Sequence, residues 1–207
     1  MEKYIDYEMC KKCGGVCCKQ NGCVYMPKDF ESMEFSYLKN ELEKGKISIS
    51  GQVIKLFKNM WTYIPYLRAR NKDANIVDLI TNGGPCINLT ETGCSLSEEK
   101  RPTFGLLVKP TKIGGPCEKV NSDSADDWLD YSEVLEELVK YYTNKSIIDI
   151  IVDEIASQMI IINKKIKDNI QLGPMEQINA YWYYKIMGNK LYYTPEEVKK
   201  LIKLSSN

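Results

Sequence analysis

The sequence predicts a mainly α fold: a helical domain with two cysteine-rich loops and little β structure. Three observations predict it. Apolar residues recur at spacings of three and four over most of the chain. Strand-like alternation is confined to Ile47-Ser48-Ile49-Ser50. Five of the eight cysteines crowd into Cys10-x2-Cys13-x3-Cys17-Cys18-x4-Cys23, and the others follow at Cys86, Cys94 and Cys117.

Taken in order, residues 9 to 25 are rich in Cys, Gly and Lys, with Gly14, Gly15 and Asn21-Gly22 marking turns. Such a stretch reads as a loop that needs a ligand to order it. Pro27 then opens a helical pattern with Phe30, Met33, Tyr37, Leu38 and Leu42 on one face, closed by Gly45 at a C-cap position. Val53, Ile54, Phe57, Trp61 and Ile64 continue the helical spacing as far as Pro65, a kink or stop. Cys86 to Cys94 reads as a tight hairpin with Gly93 in its turn, which brings two thiols together. From Asp126 onward the chain reads as helices. Trp128, Tyr131, Leu135, Leu138 and Tyr142 define one; Ile148, Val152, Ile155, Met159, Ile162 and Ile166 define the next. The second reads as a buried core helix, with a homodimer seam over 147–166 as the other reading. Beyond Gly173-Pro174, an aromatic helix over 175–187 and a capped one opening at Thr194-Pro195-Glu196-Glu197 are expected.

Composition narrows the chemistry. The 28 basic and 28 acidic residues cancel, so no global field attracts nucleic acid. There is no histidine, which excludes Ser-His-Asp and Cys-His units, Cys2His2 fingers and histidine-ligated catalytic zinc. Any general acid or base must be a carboxylate, Lys, Tyr or Cys. The N-terminal MEKYIDYEMC carries no apolar signal core, and the apolar window 147–162 is interrupted by Asp149, Asp153 and Glu154. No membrane association is expected, and the expected compartment is the cytoplasm, where thiols stay reduced.

Reduced, clustered thiolates are soft anionic ligands for zinc, copper(I) and iron–sulfur clusters. Zinc takes four donors and an iron–sulfur cluster four thiolates, so eight cysteines fill two sites, or one with spares. A dithiol redox role is the other chemistry open to them. The adjacent Cys17 and Cys18 would diverge in extended chain, so both on one ion implies strain. Cys10, Cys13, Cys17 and Cys94 come first in the expected ligand order; Cys18, Cys86 and Cys117 follow, and Cys23 is last. Arg101 would pair with a carboxylate at the surface or donate to ligand sulfurs.

These motifs resemble the YkgJ-like cysteine-cluster family, described as a zinc- or iron-chelating domain. The resemblance rests on Cys10-x2-Cys13-x3-Cys17-Cys18, Val24-Tyr25-Met26-Pro27-Lys28-Asp29-Phe30, Gly84-Pro85-Cys86, Gly93-Cys94-Ser95-Leu96 and Arg101-Pro102, with Trp128 fitting as well. It spans residues 8 to 142. The chain departs from the pattern at Gly105, where the family usually carries a cysteine. Either one ligand is absent, then, or Cys117 replaces it, with Cys23 an addition. The resemblance implies a metal-binding domain over 1–142, holding zinc or an iron–sulfur cluster; residues 143–207, which it does not cover, read as a helical extension packed on that domain. Three functions follow as expectations: a zinc module, an iron–sulfur redox or electron-transfer protein, and an S-adenosylmethionine-dependent enzyme. The last rests on a similar cysteine pattern in flagellin lysine methylases, but no Gly-rich nucleotide loop follows a clear strand here.

Overall fold

Four isoleucines, four aromatic residues, a valine and a threonine fall within residues 47–69, and in the computed structural model this stretch is an antiparallel hairpin, not a helix. The structure describes residues 7–57, 60–80, 83–109, 112–114, 118–119 and 126–173. Strand β1 runs Ile47–Phe57 and β2 Met60–Ala69, with Ile47 opposite Ala69 and Ile49 opposite Leu67. The fold is therefore mixed α/β, and the expectation of a mainly α domain with little β structure is corrected. The misleading cue was the spacing of Val53, Ile54, Phe57, Trp61 and Ile64, which mimics a helical face. Those β-branched and aromatic residues suit a pleated surface at least as well, and cross-strand pairing decided between the two. The alternation at 47–50 did mark the start of β1. Yet Ser48 and Ser50 are as fully buried as Ile49, so this end of the strand is covered on both faces.

Each strand has a second partner at its outer edge. On β2, Tyr25 N–H donates to the Leu67 carbonyl at 2.9 Å and Ala69 N–H to the Cys23 carbonyl at 2.8 Å. On β1, Ile49 N–H donates to the Ile76 carbonyl at 2.7 Å and Asp78 N–H to the Ile49 carbonyl at 2.8 Å. Residues 23–25, β2, β1 and 76–78 thus lie side by side at the end of the hairpin that holds Ile49 and Leu67–Ala69.

The first cysteine stretch, expected as a loop, forms two short helices, α1 (Tyr7–Cys13) and α2 (Val16–Gln20). Cys17 and Cys18 are consecutive helical residues on α2, not extended chain. The helix expected from Pro27 is a single 3-10 turn at Pro27–Asp29. The continuous helix α3 begins only at Phe35 and runs to Glu43, ahead of Gly45 at φ 78°. The predicted hairpin is present as β3 (Leu89–Thr90) and β4 (Gly93–Cys94), though Glu91 and Thr92 make its turn and Gly93 lies in the strand. A short helix α4 (Thr103–Leu106) and a ladder of β5 (Val108–Lys109) with β6 (Glu118–Lys119) follow.

Helix α5 (Ser132–Thr143) buries Leu135, Leu138 and Val139 against Leu38 and Leu42 of α3 and Leu67 of β2, all in one apolar core. Trp128, on the 3-10 turn before α5, is fully buried and donates its indole N–H to the Tyr25 carbonyl at 2.9 Å. Helix α6 (Ile147–Lys167) starts at a capping box, where Ser146 accepts from Asp149 N–H and Asp149 reaches back. Its core face runs through Ile147, Ile151, Met159 and Ile162, whereas Val152 and Ile166 of the predicted seam are exposed. Met159 and Ile162 of that seam are on the core face; at the start of the helix the buried stripe is Ile147 and Ile151, one residue ahead of the predicted Ile148 and Val152, because both stripes carry aliphatic side chains. The helices expected over 175–187 and from Thr194 lie outside the described residues.

Among the described residues, the polar interior of the hairpin has one buried charged member. Arg68 is fully buried on β2, ion-paired with Asp78 and hydrogen-bonded to Asn71 Oδ1 at 3.2 Å. Nearby Glu154 on α6 has its carboxyl pushed above the usual range, by burial first and by the Asp78 charge second.

Candidate metal centre

Backbone hydrogen bonds, more than sequence proximity, bring the cysteines together. The end of α2, the end of β2 and the loop at 84–87 run past one another. Cys86 N–H donates to the Cys18 carbonyl at 2.7 Å, and Gly84 N–H to the Gln20 carbonyl at 2.8 Å. On its other side the loop bridges Asn71 opposite Cys86, with Ile87 N–H donating to the Arg70 carbonyl at 2.8 Å. Cys23 is fixed by Ala69, and Cys94 sits opposite Leu89 on the β3–β4 ladder, whose own start is tied to the Cys86 carbonyl at 3.0 Å. Cys18, Cys23, Cys86 and Cys94 therefore enter one space from three separate stretches of chain.

That space is a cavity of about 100 Å³ lined by Cys10, Cys13, Cys18, Cys23, Cys86 and Cys94, with Arg101 and Lys112 as its cations. Its remaining wall is largely apolar, formed by residues such as Val16, Ala69, Leu96 and Pro102. Cys13, on α1, accepts a backbone N–H from Gly114 at 3.3 Å, which ties the first helix to the 112–114 segment. Arg101 is held by its own Nε donating to the Leu96 carbonyl at 3.1 Å.

Asp29 joins the two cysteine regions. Its carboxylate accepts from Met26 N–H at 2.8 Å, from Thr103 N–H at 2.9 Å and from the Thr103 hydroxyl, a partner 74 residues away. Pro102 to Leu107 are buried behind this clamp. Asp29→Ala would leave two partly buried N–H groups unmet, so it is expected to cost about 2 kcal/mol or more. Urea unfolding checks this; a loss near zero would mean that water replaces the carboxylate.

The thiols differ in character. Cys23 donates its S–H to Cys18, which brings the Cys18 thiol down to about 7 against the burial that opposes it, and Arg101 adds to the lowering. The same bond, followed by burial, holds Cys23 well above the ordinary thiol range. Burial also raises Cys86, an effect eased by the Asn88 backbone N–H at its sulfur. Cys18 is thus the readiest thiolate of the three, poised to serve as nucleophile or ligand.

Of the eight sequence-predicted residues, six line the cavity together; the side chain of Cys17 and the whole of Cys117 lie outside the described residues. Among the described residues, no three Cys, Asp or Glu side chains stand in an arrangement that would hold an ion as they are placed. The donor chemistry fits a soft metal, and the shared cavity fits one ion, provided that the side chains turn inward. Sequence reasoning missed Lys112 and took Gly105 only as a cysteine lost from the family pattern. Gly105 packs against Cys23: a Cβ built on it would lie 3.3 Å from the Cys23 sulfur. Lys112 supplies the second cation, in a segment that carried no motif. Only the coincidence of cysteines with Arg101 pointed to this region. Comparison of the chain with protein-family models, curated proteins and solved structures finds no match.

Proposed function

We propose that this is a cytoplasmic metal-binding protein, of the cysteine-cluster kind that its motifs resemble, which holds an ion through thiolates gathered in this cavity. The observation that carries the reading is the convergence of six cysteines, from stretches more than 60 residues apart in sequence, on one space. Their thiolates would hold the ion, and Arg101 and Lys112 would balance the charge. Four thiolates around a divalent ion leave a net charge of −2, and two cations in an otherwise apolar wall offset it. Zinc is the simplest occupant, since one tetrahedral ion takes four thiolates, and an iron–sulfur cluster held by four thiolates is the alternative. No helix among the described residues is long and apolar enough to cross a membrane.

The test is purification of the full chain under reducing, oxygen-free conditions, followed by metal analysis and a visible spectrum. The expected result is stoichiometric zinc in a colourless protein that loses thermal stability on chelation. A brown protein that bleaches in air would replace zinc with an iron–sulfur cluster. A chain that carries neither metal and unfolds at the same temperature with and without chelator overturns the proposal.

A further inference from the structure

Six cysteines line the cavity, yet their supports are unequal. Cys10 and Cys13 sit on α1, a seven-residue helix. The Cys13 sulfur is engaged by the Gly114 N–H of a distant segment. The other four are bound into the folded frame. Cys18 and Cys86 are joined through their own backbones at 2.7 Å, Cys23 is bonded to the last residue of β2 at 2.8 Å, and Cys94 closes the ladder that begins at the Cys86 turn.

Cys23 reaches its position through a specific gap. Residues 102 to 107 are buried, and within this wall residue 105 has no side chain. The Cys23 sulfur lies against that gap: a Cβ at Gly105 would stand 3.3 Å from Sγ, a few tenths of an ångström too tight, and 3.6 Å from Cys23 Cβ, an ordinary contact. A side chain at residue 105 would press the sulfur back by about that much. The Asp29–Thr103 clamp fixes the wall, so the displacement falls on Cys23.

We propose that the ion is held by Cys18, Cys23, Cys86 and Cys94, with Gly105 as the residue that admits Cys23, and with Cys10 and Cys13 outside the ligand set. This rests on the metal-site reading above and specifies its ligands. It brings Cys23, last in the order suggested by spacing, into the site, and it separates the C-x2-C pair from the ion. On this assignment the side chains turn about χ1 toward a common centre, and the backbone bonds that set their origins stay intact.

The test is zinc affinity of the full chain, measured by competition with a chelator. It is accompanied by the cobalt(II) charge-transfer band, whose intensity follows the number of bound thiolates. Loss of an outer hydrogen-bond partner of a ligand typically costs 10- to 100-fold in affinity, so loss of a ligand is expected to cost about 100-fold or more. Cys18→Ser, Cys23→Ser, Cys86→Ser and Cys94→Ser should each do so and weaken the cobalt band. Cys10→Ser and Cys13→Ser should stay within about 10-fold, with the band intact. Gly105→Ala should weaken zinc binding in the wild-type background and change nothing further in the Cys23→Ser background. That non-additivity separates displacement of one sulfur from general damage to the fold. If Cys10→Ser or Cys13→Ser costs as much as the other four, or Cys23→Ser costs nothing, the ligand assignment is overturned while metal binding stands. If the unaltered chain binds neither zinc nor cobalt, the metal-site reading itself fails.

Discussion

Asp78→Ala is expected to destabilise the chain by about 3–5 kcal/mol, the cost of leaving a buried charge without its partner. Arg68 is fully buried, and its guanidinium meets Asp78 on one side and Asn71 on the other. Removing the carboxylate keeps the amide contact and strips the counter-charge. In a domain of this size each kcal/mol moves the midpoint by about 2–4 °C, so a fall of roughly 6 °C or more should be visible in thermal unfolding. Removing both charges, as Arg68→Met with Asp78→Ala, should recover most of the loss, because the desolvation cost of the guanidinium disappears with it. A single-variant effect under about 1 kcal/mol would mean that water reaches the pair.

The second large effect is expected at Gly22. A Cβ there would lie 1.8 Å from the Ala69 carbonyl oxygen, a backbone atom with nowhere to go. Gly22→Ala must therefore push residues 22–25 off the edge of β2. The move breaks the Ala69 N–H bond to the Cys23 carbonyl and the Gly22 N–H bond to Asn71 Oδ1, now 2.8 and 3.0 Å. Overpacking typically costs 1–3 kcal/mol and each lost buried bond adds to it, so about 3 kcal/mol or more is expected. Because Cys23 moves as well, zinc binding should fall in parallel. Full zinc affinity in a destabilised Gly22→Ala protein would separate the strand edge from the metal site.

The chain announced its cysteine cluster better than its architecture. Cysteine is rare and reactive, so five in fourteen residues stand out wherever they fall. The hairpin did not stand out. Residues 52–68 place apolar side chains at intervals that serve a helix and a two-stranded ladder alike, and only partners elsewhere in the chain, at 23–25 and 76–78, decide between them. The same blindness hid Arg68: in sequence it is one more cation, and its burial depends on an aspartate ten residues away across a loop. On α6 the chemistry was too uniform to phase, because isoleucines occupy both the buried and the exposed stripe. Gly105 and Cys23 were invisible as a pair, since the complementarity of an absent side chain and a sulfur exists only after folding.

The bond from the Trp128 indole to the Tyr25 carbonyl closes a span of 103 residues. A nascent chain still lacking its second half has already exposed seven of its eight thiols to the cell, with this pin yet to be synthesised. Closure over such a distance costs loop entropy before any packing repays it. During translation, then, the sulfurs precede the scaffold that orients them.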